Sequence, residues 1–310
     1  MRGPEHLVAF GPGKVILLGE HGVVYGQPAL AGPLSWGVTA RGIPAKKPTL
    51  EIPESLSRSA RRLLQAAFQA AATASGSPHL RVSLESDLPP SMGLGSSAAV
   101  SVACARLLLL ARNSVEVRPS EVARVAWEME KVFHGTPSGV DHTCSAEDAL
   151  IHFRRRPGSA RPAVRRVESP RPLKVLVALV GERSSTKQTV EALRRRHQGW
   201  PERYGRLFQE IGRLVDEGRR AVEAGDLESL GDLMNINQGL LGALGLSSSG
   251  IEAMVHRLRS LGALGAKLTG AGGDGGAVIG LFLEPEPVVA RLTRAGVRCF
   301  SSQVAGPRAL

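Results

Sequence analysis

Aromatic side chains are scarce. Seven Phe, three Trp and two Tyr stand among 310 residues, so Leu, Val and Ala must fill most of any core. Cysteine is scarcer still: Cys104, Cys144 and Cys299 are odd in number and show no CxxC spacing. That excludes a disulfide framework and points to reduced thiols without a metal, as in a cytoplasmic protein. No apolar run reaches the ~18 residues of a membrane span, because Arg106 interrupts the best candidate. The opening residues, Met1 to His6, lack the apolar stretch of a signal peptide. A soluble, cytoplasmic chain with no membrane partner is expected.

Lysine is rare as well, seven against 32 Arg, within a net charge of +11. So basic a chain invites a nucleic-acid reading. The arginines are scattered, however (Arg154 to Arg156, Arg165 and Arg166, Arg194 to Arg196, Arg219 and Arg220), with little aromatic interleaving for base stacking. No nucleic-acid partner is expected; an Arg-biased surface instead suits the capture of polyanionic small molecules.

What is present is the material of a globular enzyme. With 43% hydrophobic and 22% charged residues, the chain can bury a core, and its length suggests two domains. The pattern predicts strands at His6–Phe10, Lys14–Leu18, Trp36–Ile43, Leu80–Leu84 and Leu150–Phe153, with helices over 55–75, from Ser96 to Arg112, and from Pro119 to Gly135. Residues 154–172, rich in Arg and Pro, read as a solvated connector. Beyond it come a strand at Val175–Val180, helices over about 186–197, 201–224 and 226–243, and another that Ser249 opens with Glu252 as a capping box. Strands at Ala266–Leu268, Ala277–Leu283 and Val297–Ser301 complete the pattern. Strands mixed with helix pairs in both halves indicate an α+β fold rather than a doubly wound one.

Four segments carry possible chemistry. Pro89 to Ala99 (PPSMGLGSSAA) places Gly93 and Gly95 just before a helix. Backbone N–H groups there can approach an anion closely, and the hydroxyls of Ser96 and Ser97 can bond a phosphate or ligate magnesium. An ordinary capped loop is the competing reading. The P-loop pattern is absent, and the dinucleotide fingerprint lacks its third glycine. In the second segment, residues 270–276 hold five Gly, Ala271 and Asp274 between two apolar strands. So much glycine suggests that a ligand or another loop lies against the backbone; a flexible hairpin is the alternative.

In the third segment, strand-borne Lys14 leads through an apolar run to Gly19-Glu20-His21, a charged cluster that marks either a site or a solvated strand end. The fourth joins Glu130 and His134, one helical turn apart, to Asp141. Glu130 lies at the edge of an apolar stripe, where a half-buried carboxylate wants a cation or hydrogen-bond donors. It could equally form a surface pair with His134, and Asp141 could satisfy loop N–H groups. A second acid near a phosphate loop is also what a magnesium-dependent kinase requires.

Together, these segments are similar in order and spacing to the motifs of the GHMP kinases (galactokinase, homoserine kinase, mevalonate kinase, phosphomevalonate kinase), over essentially the whole chain. Within that family, Gly13–Ala29, His134–Asp141, Ser185-Thr186-Lys187 and Gly265–Gly270 look most like the mevalonate kinases. Galactokinases would show Gly-Glu-His-Thr-Asp, where Gly22-Val23 stands here. The resemblance implies a two-domain α+β fold: an ATP-binding domain over 1–165 with a left-handed βαβ crossover, an exception to the usual hand, and a ferredoxin-like domain over 166–310.

The activity it implies is ATP-dependent phosphorylation of the 5-hydroxyl of mevalonate to mevalonate 5-phosphate, a step toward isoprenoids, with Mg2+ as cofactor. Met92, Gly93, Leu94, Gly95, Ser96 and Ser97 would hold ATP, and Ser97 and Glu130 would ligate magnesium. Asp141 would act as general base and Lys14 would neutralise the transferring phosphoryl group. Glu20, His21 and Thr186 would contact mevalonate. The resemblance leaves room for a homodimer. The alternatives are another GHMP small-molecule kinase, such as a phosphomevalonate or sugar kinase, a nucleotide-binding pseudo-enzyme, or a basic nucleic-acid-binding protein.

Overall fold

The computed structural model describes residues 7–89, 92–113, 117–155, 162–181 and 186–306. The chain forms two compact units. The first takes the segment ending at Gly13 together with Trp36–Pro89 and Gly95–Asp148; the second takes Lys14–Ser35, the loop ending at Leu94, and the chain from Ala149 onward. Strand β1 (Leu7–Leu18) passes from the first unit into the second, and β2 (Ala29–Pro44) passes back.

In β1, Val15, Ile16, Leu17 and Leu18 are all buried, the continuous apolar run of a strand covered on both faces. The pattern predicted two strands broken at Gly11-Pro12-Gly13, whereas the structure runs straight through them. The glycine serves close approach rather than a turn: a Cβ at Gly11 would lie 2.1 Å from the carbonyl oxygen of Ala99. The second strand likewise begins at Ala29, earlier than the expected Trp36.

Further elements of the first unit are β3 (Thr49–Leu50), α1 (Arg58–Ala74), β4 (Leu80–Ser86), α2 (Ser96–Asn113), α3 (Pro119–His134) and α4 (Val140–Glu147). Residues Val38–Pro44 of β2 pair antiparallel with β4, and β3 adds to β4 in parallel. The central helix is α2, with Ala98, Ala99, Val102, Ala103, Cys104, Ala105, Leu107, Leu108 and Leu109 all buried. A helix apolar on nearly every side belongs inside a unit. On α3 the expected stripe of Val122, Val125, Met129 and Phe133 is buried at its first three positions, with Ala126 and Glu130 buried beside it, while Phe133 at its end is only partly buried.

The second unit continues with β5 (Ile151–Arg154), β6 (Ala163–Arg166), β7 (Leu173–Val180), α5 (Thr186–Gly199), α6 (Pro201–Ala224), α7 (Leu227–Ala243), α8 (Ser249–Ser260), β8 (Gly265–Thr269), β9 (Gly276–Phe282), α9 (Glu286–Arg294) and β10 (Cys299–Ala305). Its four-stranded antiparallel sheet runs β10-β7-β9-β8. Counted from β7, that is the order fourth, first, third, second, the ferredoxin-like arrangement. Leu176, Ala178, Ala266, Leu268 and Val278 of the sheet share one core with Phe208, Ile211, Leu241, Ile251 and Val255 of the helices.

Two expectations are corrected in this unit. Within the presumed connector, Ala163–Arg166 pairs antiparallel with β5. All four residues are exposed, so this edge strand carries no apolar alternation to announce it. Residues 156–161 of the same stretch lie outside the described residues. The cap of α8 is Ser248, whose hydroxyl accepts from the Ile251 N–H, rather than Ser249.

Candidate active site

The loop that enters α2 is held from both ends. Met92 and Leu94 are buried anchors, while Gly93 (φ +83°) and Gly95 (φ +74°) occupy the left-handed region that favours glycine. Lys14 of β1 fastens this loop: its backbone N–H donates to the Leu94 carbonyl at 2.9 Å, and its ammonium to the Gly93 carbonyl at 3.3 Å. The glycine loop 270–276 lies against the same place. A Cβ at Gly270 would come within 3.0 Å of the Gly93 oxygen, and one at Gly93 within 3.2 Å of the Thr269 oxygen. Another loop does therefore press against the glycine-rich backbone, one of the two readings its composition left open.

At the start of α2 the first turn offers backbone N–H groups without helical acceptors, beside half-buried Ser96 and Ser97. The Ser97 hydroxyl lies 3.0 Å from His134 Nε2. Glu130, only 2% exposed, accepts from the Ser101 hydroxyl at 3.0 Å through Oε1, and its Oε2 is 3.8 Å from the same His134 nitrogen. The structure thus brings Ser97 and Glu130 to the same imidazole nitrogen, and the i,i+4 pair with His134 joins a half-exposed ring to a buried carboxylate. Among the described residues, no three of His, Cys, Asp and Glu gather as a metal cage. A buried carboxylate and a nearby hydroxyl are instead a partial set of hard oxygens, the kind Mg2+ takes when phosphates and water complete its shell.

Asp141 lies in the first turn of α4, where a negative charge meets the positive end of the helix dipole. The other end of α4 is pinned by a residue whose role the sequence hid. Arg106, the charge interrupting the apolar run of α2, donates to the carbonyls of Ser145 (3.3 Å) and Ala146 (2.9 Å) and to that of Phe10. The Ser145 hydroxyl adds a 2.7 Å bond to the Pro12 carbonyl. One guanidinium thereby joins the C-terminal carbonyls of α4 to β1, and the sign of its charge suits that end of the helix.

Beyond β1, the chain turns through Gly19, Glu20 and His21 into a short 3-10 turn, Gly22–Tyr25. His21 has φ +58°, uncommon outside glycine. Its Nε2 faces the Ala271 carbonyl at 3.0 Å and so carries the hydrogen. Burial, with the nearby Arg196 charge, pushes its pKa down to about 4, although the hydrogen bond to Ala271 opposes this; the ring is neutral at neutral pH. The glycine loop is further held by the Gly273 N–H on the Leu246 carbonyl and the Ser248 hydroxyl on the Asp274 carbonyl.

Glu20 lies deeper than its place in the motif suggested. Its carboxylate forms an ion pair with Lys267, both side chains 0% exposed. Asn237 donates to the second oxygen at 3.2 Å. Burial raises the pKa of Glu20 while Lys267 pulls it back; burial lowers that of Lys267, opposed by Glu20 and reinforced by the Lys14 charge. Neither Lys267 nor Asn237 was singled out by sequence. The only hint was a lysine inside an otherwise apolar strand. Thr186 begins α5, and its side chain lies outside the described residues.

The geometry is accompanied by clear relatives. Family models described as "GHMP kinases N terminal domain" and "GHMP kinases C terminal" match residues 58–147 and 219–298. Mevalonate kinase of Aeropyrum pernix is 37% identical, covering 90% of this chain and 89% of that protein. Mevalonate kinase of Pyrococcus abyssi is 32% identical over 88% of each. Among solved structures, L. major mevalonate kinase in complex with R-mevalonate superposes with a TM-score of 0.83 at 28% identity, covering 99% of this chain and 100% of that one. With identities above 30% sustained over nearly the full length, the chain belongs to the GHMP kinase family.

Proposed function

We propose that this chain transfers the γ-phosphoryl group of ATP to the 5-hydroxyl of mevalonate, giving ADP and mevalonate 5-phosphate. The observation that carries the reading is the fastening of Lys14 to Gly93 and Leu94. It sets a cation on the loop that leads into an anion-favouring helix start, and phosphoryl transfer needs fixed positive charge more than covalent help. The near-full-length likeness to mevalonate kinases selects the alcohol.

In this reading, Met92 to Ser97 cradle the phosphates of ATP through backbone N–H groups and the serine hydroxyls. Lys14 neutralises charge on the transferring group. Asp141 accepts the proton of the attacking hydroxyl, a useful service because a primary alcohol is a poor nucleophile at neutral pH. His21 and Thr186 contact mevalonate; the family resemblance gives Glu20 the same role, but its carboxylate is taken up by buried Lys267. Ser97 and Glu130 would hold Mg2+, which would supply positive charge to offset that of the transferring phosphoryl group. A cytoplasmic setting for the reaction is supported by three cysteines outside any disulfide, two of them buried.

The direct test is ADP release with ATP and a panel of alcohols: mevalonate, phosphomevalonate, galactose and homoserine. Turnover of mevalonate far above the others is expected. Turnover of another alcohol with mevalonate inert would overturn the substrate. Asp141→Asn should slow the chemical step by about 10²–10⁴-fold while leaving ATP binding largely intact; near-normal turnover would remove Asp141 from the mechanism.

A further inference from the structure

The buried pair Glu20–Lys267 ties together two stretches of chain that the proposed chemistry uses. Lys267 donates to Glu20, to the Ile16 carbonyl at 3.4 Å and to the Leu268 carbonyl at 2.6 Å. Ile16 is two residues from Lys14. Its N–H donates to the Thr269 hydroxyl at 2.9 Å, and that hydroxyl lies 3.2 Å from the Ile16 carbonyl, to which it donates. Thr269 leads directly into the glycine loop, whose Ala271 accepts from His21, the neighbour of Glu20. Residues 16–21 are thus cross-braced to residues 267–271 at four points, and the pair is the only fully charged one.

An ion pair in so apolar a place is not explained by stability. Taking both charges out of water costs about as much as their attraction returns, and well-packed apolar residues often serve as well. What the pair supplies is direction: an ammonium with three fixed acceptors and a carboxylate with two fixed donors lock both strands in one relative placement. We propose that Glu20 and Lys267 are positioning residues of the phosphoryl transfer, holding Lys14 and the glycine loop 270–276 in the arrangement that the reaction needs, and that neither touches the substrate. This rests on the kinase reading above and departs from the family resemblance, under which Glu20 would contact mevalonate.

The experiment compares wild type with Glu20→Asp, which keeps the charge but shortens its reach, and with the double variant Glu20→Gln/Lys267→Met, which removes both charges together. For each, kcat, the two KM values and the melting temperature are read on whichever alcohol the wild type accepts. Failure of wild type on mevalonate therefore counts against the function, and only variant-to-wild-type ratios bear on the pair. Both variants should fold, the double melting close to wild type. Both should lose kcat by at least about tenfold with KM for alcohol and ATP within about threefold, as a misplaced group predicts. Loss confined to KM for the alcohol would show Glu20 to be a substrate contact, and wild-type kinetics in either variant would show the pair to be dispensable; both results overturn the proposal. If the double variant does not fold, Glu20→Asp decides by the same split. Should Glu20→Asp also fail to fold, the pair is needed for folding itself and the proposal falls.

Discussion

Gly11→Ala is the sharpest test of how the helix bearing Ser96 and Ser97 is seated. The added methyl would stand 2.1 Å from the Ala99 oxygen and 2.7 Å from the Ala103 nitrogen. Both are backbone atoms of α2, a helix buried along most of its length, so no flexible side chain can swing aside. Reaching ordinary contact at 3.4 Å from 2.1 Å needs a retreat of about 1.3 Å by strand or helix, at a cost near the top of the ~1–3 kcal/mol range for overpacking. At roughly 2–4 °C per kcal/mol for chains of this size, melting should fall by about 6–12 °C. Because the helix start would move with it, kcat/KM for ATP should drop by up to about 10²-fold. Differential scanning fluorimetry and an ADP-release assay read the two effects. Gly205→Ala, in the interior of α6 with nothing within 4 Å of the new methyl, is the control and should stabilise by about 0.5–1 kcal/mol. A Gly11→Ala enzyme melting within about 2 °C of wild type, with full activity, would refute the close approach of strand and helix.

Other perturbations probe separate parts of the site. Glu130→Gln should raise the magnesium concentration needed for half-maximal rate, and an unchanged titration would remove Glu130 from the ligand set. Arg106→Met strips the guanidinium from three carbonyl groups, which should cost about 1–3 kcal/mol and lower kcat more than it raises KM for ATP, since α4 carries Asp141; Arg106→Lys should recover part of both. The His21 pKa, about 4 in the fold against 6.5 for the free group, makes stability depend on acidity. Above pH 6.5 neither state binds the proton. Between 6.5 and about 4 the unfolded chain binds it first, so stability falls with falling pH. Melting temperatures of His21→Gln across that window should lack this component, and parallel curves for the two proteins would contradict the assignment.

Much of the architecture could be read from residue pattern because local signals agreed with the tertiary outcome. The stripe on α3, the glycine entry to α2 and the strand–loop–strand at 265–282 each announce themselves within a few residues. Three features did not. Gly11-Pro12-Gly13 resembles a turn in any local reading, and only the backbone of Ala99, far along the chain, explains it as strand. Arg106 reads as an interruption until the carbonyls of Ser145 and Ala146 are seen beneath it. The partner of Glu20 lies 247 residues away, so nothing near Gly19-Glu20-His21 could indicate whether that carboxylate faces a ligand or a buried lysine. The same distance explains why Lys267 passed as one more residue of an apolar strand. Ser248 and Ser249 differ by a single position, finer than pattern alone resolves at a helix end.

The cross-brace between residues 16–21 and 267–271 has a consequence for how the protein is made. Every segment of the first unit is translated by residue 148, whereas Ile16 waits 251 residues for its lysine. At roughly 5–20 residues per second, the ribosome needs about 12–50 s to supply it. Throughout that interval Val15 to Leu18, four apolar residues in a row, have no permanent cover from the strands and helices still to be synthesised. The newborn chain therefore presents a sticky tail end of its first strand well after its earliest helices have been made.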